Sequence, residues 1–69
     1  MQHLPVKSRI IDSVYFSQED GQLRICFKNG EERRFAEVQE TEVLAMCEAR
    51  SPGQYYIDNI RTRFRRIAA

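Results

Sequence analysis

The chain has 69 residues, 42% apolar and 30% charged, with a net charge of +1. This composition suits one ordinary globular domain and argues against disorder, a second domain or a membrane span of about 18 apolar residues. At this size only about 60% of the unfolded surface becomes buried, so each large apolar residue has a structural task.

Residues 1–7 read as a loose lead-in without the apolar core of a signal peptide, which makes the cytoplasm the expected address. Ile10 to Phe16 is rich in β-branched and aromatic residues and predicts a first strand. Ser17 to Gly21 is polar and closes on Asp-Gly, a turn signal. Leu23-Arg24-Ile25-Cys26-Phe27 alternates and predicts a half-buried second strand, and Glu31 to Ala36 a third.

Asn29-Gly30 between them predicts a hairpin. A tight two-residue loop would turn Phe35 away from Leu23, Ile25 and Phe27. A three-residue loop pairing Lys28 with Glu32 and Ile25 with Phe35 puts all four on one face. The expected turn is therefore type I, with Gly30 left-handed in a bulge. Arg33 then lies on the same face, beside Phe27.

Residues 40–50 hold strong helix formers and neither Gly nor Pro. Val43, Met46, Cys47 and Arg50 share one side, with acids at the start and Arg50 at the end. Ser51-Pro52-Gly53-Gln54 suits either a type II turn or a helix start. In the second reading Ser51 is the cap, Pro52 the first helical residue and Gln54 the capping-box partner. The helical spacing of Tyr56, Ile57, Ile60 and Phe64 favours a helix from Ser51 to Arg61 or Phe64. The expected fold is α+β: a three-stranded antiparallel β-meander, then two helices packed on one face, then a short basic C-terminal tail. In domain terms, one domain over residues 8–66 follows the lead-in, and 67–69 form the tail.

Ser8, Ile11, Val14 and Phe16, then Leu23-x-Ile25-x-Phe27-x-x-Gly30, Phe35-x-x-Val38 and Ser51-x-Gly53-x-Tyr55-Tyr56-x-x-x-Ile60-Arg61-x-Arg63-Phe64 together resemble the KTSC domain. That family takes its name from a C-terminal extension of some lysyl-tRNA synthetases and also occurs as small stand-alone bacterial and phage proteins. The resemblance spans about residues 6–66, and it implies an RNA-binding role through the family's attachment to a synthetase. The family tends to carry Tyr-x-Tyr in the third strand and Pro after Val38. This chain has Arg33, Phe35 and Gln39 at those positions, so binding carried by the tyrosine pair would be altered or lost here.

Charge is uneven along the chain. Residues 1–59 hold seven Lys/Arg and ten Asp/Glu, whereas 60–69 hold Arg61, Arg63, Arg65 and Arg66 and no acid. Two readings of these arginines weigh equally. In one they project jointly toward solvent and neutralise phosphates, with Tyr55 and Asn59 adding stacking or hydrogen bonds. In the other they are a solvated face paired with the acidic body. Tyr56 belongs to the apolar stripe, while Tyr55 is read as a packing residue before a stacking one. Arg33 is a secondary candidate for an anionic site, though snorkelling to the sheet rim explains it more simply.

Catalytic chemistry is not expected. Ser51 has no base beside it in sequence, since the single histidine is His3, and a capping role accounts for it. Cys26 and Cys47 read as reduced thiols rather than a disulfide. No closely spaced Cys/His pair offers a metal site, and the three glycines stand singly at turns, so neither metal nor cofactor is expected. The remaining function classes are an RNA-binding module and a protein-interaction module, self-association included. Sequence alone leaves the oligomeric state open.

Overall fold

Five short strands, not three, make the sheet in the computed structural model, which describes residues 1–67. They are β1 (Gln2–Leu4), β2 (Ile11–Ser17), β3 (Gln22–Phe27), β4 (Glu32–Phe35) and β5 (Arg66–Ile67), antiparallel and ordered in the sheet as in the chain. Helix α1 (Glu40–Glu48), helix α2 (Pro52–Tyr55) and a π-helical turn (Tyr56–Ile60) lie between β4 and β5.

Both additional strands occupy segments read from the sequence as unstructured. β1 pairs with β2, setting His3 opposite Tyr15. β5 pairs with β4, Phe35 facing Arg66, and the Ala36 amide donates to the Arg65 carbonyl at 3.0 Å. The expected basic tail is therefore fastened to the sheet through Ile67; its residues 68–69 lie outside the described residues. Strands of three and two residues have too short an alternation to register in a sequence pattern.

The hairpin carries the expected turn one residue earlier. Gly30 N–H donates to the Phe27 carbonyl at 3.0 Å, and Gly30 has φ 92°, the left-handed conformation that a type I turn with a bulge requires. The loop is thus Lys28–Gly30, closed by the Phe27 amide on the Glu31 carbonyl at 2.8 Å. Leu23 therefore opposes Phe35, and Ile25 opposes Arg33 instead of Phe35. The pairing is displaced by two residues. Since side chains alternate with a period of two, the face assignment survives: Leu23, Ile25, Phe27, Arg33 and Phe35 still share a side.

A register shift between Ile11 and Ser13 adds a residue to β2. This bulge lets Ile11 join Val14 and Phe16 on the inner face, although simple alternation would turn it outward. Helix α1 contributes Val43 and Met46, the loop before it Val38, and the helical segment after it Tyr56 and Ile60; all are buried. The Tyr56 ring meets Phe27 and Phe35 edge-on, with centroids 5.3 and 5.9 Å away. Fully burying a side chain such as Met46 or Ile60 contributes about 1.5–3 kcal/mol, a large share of a small domain's stability.

Helix α1 stops at Glu48, where Ala49 turns extended (φ −64°, ψ 152°), and Pro52 disfavours helical geometry at Ser51, which is extended as well (φ −129°, ψ 94°). Arg50 therefore lies beyond the last turn. Ser51 Oγ accepts from the Gln54 amide at 3.4 Å, and Pro52 opens α2, as expected. The capping box stays half-made, since the Gln54 side chain donates to Asp58 Oδ1 at 3.0 Å, where the acceptor is charged. One turn later the Arg61 amide reaches back five residues to the Tyr56 carbonyl at 2.8 Å. That single wide turn is what delivers Arg61 to the end of the sheet.

Candidate cationic groove

Three segments meet at the hairpin end of the sheet. Ser8 Oγ accepts from the Ile10 and Ile11 amides at 3.2 and 3.1 Å, folding residues 8–11 into a tight turn. The Lys28 amide donates to the Ile10 carbonyl at 2.8 Å and ties the hairpin tip to that turn. Asn29 Oδ1 accepts from the Glu31 amide at 2.9 Å and braces the tip itself. On the other side Ile10 lies against α2 at Gly53, where an added Cβ would fall 2.6 Å from Ile10 Cγ1. Only glycine allows that approach without displacing Ile10.

These contacts enclose a groove of two adjoining clefts, about 450 Å³ and about 660 Å³, which share Arg9, Ile10 and Ile57. Phe27 and Tyr56 line the first, with Lys28, Arg33 and Arg61 around them. Lys7 and Arg50 flank the second. Six of the eleven cationic side chains line this groove, against a single one of the ten acids, Glu31. The chain carries a net charge of only +1, so positive charge is concentrated here, and five cations against nine acids remain elsewhere.

Glu31 is already engaged: Arg33 Nη2 lies 3.2 Å from its Oε2, while Arg33 Nη1 donates to the Glu32 carbonyl at 2.9 Å. Burial raises the Tyr56 phenol above its ordinary pKa, and the positive fields of Arg33, Arg61 and Arg66 work in the opposite direction. Arg33 of β4, Arg61 just after the π-helical turn and Arg66 of β5 thus bear on one hydroxyl.

The candidate residues divide between this groove and other surfaces. Arg61 and Arg33 line it. Arg66 reaches Tyr56 electrostatically from β5, and Arg65 is exposed beside it. Arg63 turns instead to α1, where Nη1 lies 2.9 Å from Glu42 Oε1; Tyr55 hydroxyl donates to Glu42 Oε2 at 2.6 Å. Glu42 is accordingly held below the ordinary carboxylate range, chiefly by the Tyr55 bond and also by Arg63, against the upward push of burial. Asn59 is half-buried and lines neither cleft. Of the four C-terminal arginines, Arg63 thus turns away to α1, while Arg61 and Arg66 both lie near Tyr56. Lys7, Arg9, Lys28 and Arg50 were not among the candidates. They stand singly in the sequence, and only the hairpin signal at Asn29-Gly30 hinted that Lys28 would occupy an exposed tip.

Other reactive groups lie apart. Ser51 caps α2, and His3 stacks obliquely on Tyr15 across the outer sheet face, centroids 5.0 Å apart. On that face Arg24 lies 5.1 Å over the Tyr15 ring, and Glu32 is approached by Arg24 and Arg34, both at 3.0 Å. Cys26 and Cys47 are free, and burial pushes the Cys47 thiol up, which reduces its nucleophilic form. Among the described residues no group of three or more His, Cys, Asp or Glu is placed to hold a metal ion, and no helix is long and apolar enough to cross a membrane.

An antiparallel sheet with helices on one face and a cationic groove at its hairpin end defines a small two-layer α+β domain. The sequence profile of the KTSC domain matches residues 7–64, and the chain belongs to that family. A crystal structure of a KTSC domain protein from Yersinia pestis has the same fold, with a TM-score of 0.86 and 24% identity, over 99% of this chain and 96% of that one. No curated protein matches the chain.

Proposed function

We propose that this domain is a non-catalytic module that binds the phosphate backbone of RNA in the cationic groove. One observation carries the reading: six cations and one acid line the groove of a nearly neutral chain. Neutralising phosphates releases counterions, and converging cations on an apolar floor suit that exchange. The family's association with a tRNA synthetase points to tRNA or another structured RNA as the first substrate to try. The cytoplasm is the matching address, where Cys26 and Cys47 stay reduced.

Binding of a mixed tRNA pool across a salt series tests the reading. Affinity falls steeply with salt, and the double variant Arg33→Gln/Arg61→Gln flattens the log–log slope by about 1–2 units. Arg63→Gln, tied to Glu42, leaves the slope unchanged. A weak, salt-independent interaction in all three proteins refutes it.

A protein partner is the second reading. It is favoured by the outer sheet face, which helices leave uncovered and which presents Tyr15, His3 and Arg24 together. Capture from a lysate with and without nuclease separates the two: partners lost on nuclease treatment support RNA, and partners retained support protein.

A further inference from the structure

We infer that the cleft between the hairpin and the π-helical turn receives one unpaired nucleotide of a single strand, its base against Ile10, Phe27 and Ile57 and its phosphate between Arg33 and Arg61. The inference rests on the backbone-binding reading above and adds what the cleft selects.

Size comes first. A cleft of about 450 Å³ lies at the small end of ligand pockets and suits a single nucleotide. Composition is the second argument. A site for phosphate alone needs only donors, yet this one has an apolar wall facing its cations. Ile10 is 43% exposed, one of three large hydrophobic side chains so exposed among the described residues. The core does not bury it; Ser8 and the Lys28 amide hold its backbone where the side chain borders the cleft. An exposed isoleucine beside a half-buried phenylalanine and arginines fits an aromatic, anionic ligand.

Third, the arrangement discriminates by strandedness. In a duplex both faces of every base are covered by neighbours, and the phosphates line the outside of a cylinder. A duplex would touch the rim cations and leave Ile10 and Phe27 uncovered. A single strand can turn one base into the cleft while Lys7 and Arg50, in the adjoining cleft, meet the next phosphates.

Fluorescence anisotropy with a ten-nucleotide RNA, single-stranded and as a duplex of the same sequence, tests this, with the two forms compared at each point of one salt series. The single strand binds about tenfold tighter or better, as expected when one stacked base is gained. Ile10→Ser weakens the single strand about fivefold, leaves duplex binding alone and keeps the wild-type salt slope. Circular dichroism of Ile10→Ser checks the fold, and the strand comparison on the unaltered protein needs no variant. An NMR titration with adenosine 5′-monophosphate moves the amides of Ile10, Phe27 and Ile57, whereas inorganic phosphate moves those of Arg33 and Arg61 alone. Equal, salt-steep binding of both RNA forms with a silent Ile10→Ser overturns the inference and leaves backbone binding standing. Absence of binding by either form removes both.

Discussion

Replacing Tyr55 with Phe removes one hydroxyl and tests how the C-terminal segment is anchored to α1. The wild-type bond to Glu42 is short, 2.6 Å, and its acceptor is charged. Hydrogen bonds to charged groups contribute about 1.5–3 kcal/mol when well enclosed. Here Glu42 keeps Arg63 at 2.9 Å after the substitution, and its side chain is 20% exposed, so water recovers part of the loss. We expect Tyr55→Phe to lose about 1 kcal/mol at pH 7, a fall in Tm of about 4–8 °C for a domain of this length.

The loss follows pH in a defined way. Glu42 is depressed in the fold, so its stabilisation is complete above the unfolded carboxylate pKa of about 4.3 and disappears as pH falls through the lower folded value. The Tyr55 phenol is raised, chiefly by the same bond, so its share is complete below the unfolded value of about 10 and is lost as pH rises through the folded one. Urea unfolding followed by circular dichroism should give a constant gap between wild type and Tyr55→Phe from about pH 5 to pH 9, closing near pH 2. An equal gap at pH 7 and pH 2 would show that the loss comes from packing, and the ionic account would be wrong.

Two more variants probe the groove. Glu31→Gln removes its single acid and releases Arg33, so RNA binding at low salt should tighten about two- to fivefold with stability within about 0.5 kcal/mol of wild type; unchanged affinity would take Arg33 out of the binding path. Gly53→Ala places a methyl group where Ile10 now lies, 2.6 Å from its Cγ1. Exposed Ile10 should swing aside at a net cost of no more than about 1 kcal/mol, because alanine's helix propensity offsets part of the strain; a methyl NMR signal of Ile10 that stays in place would contradict the contact.

Periodicity, turn chemistry and capping signals mark most of the fold in the sequence. β3 follows from alternation, β2 from its β-branched and aromatic residues, β4 from the hairpin signal before it, and the Ser51–Pro52 start of α2 from the cap signal. The left-handed Gly30 is legible in the sequence, yet the hairpin closes on Phe27 and Glu31. A shift of two residues leaves every face intact, so hydrophobic pattern cannot distinguish the two pairings. β1 and β5 leave no mark in the sequence because pairing, rather than composition, creates them. The groove was nearly illegible for a related reason. Lys7, Arg9, Lys28, Arg50 and Arg61 are neighbours only after the turn at Ser8, the hairpin tip and the π-helical turn have met. The run of arginines near the C-terminus is the conspicuous basic feature of the sequence instead, and Arg63 leaves it for Glu42.

Sheet order that repeats chain order also bears on assembly. Each of the first three strand pairings closes a short connection, which costs little chain entropy and favours rapid formation. The last seam differs: β5 must return across residues 36–65 to meet β4. That seam closes the longest connection in the sheet with the shortest strand, so it is the expected point at which the sheet first unzips.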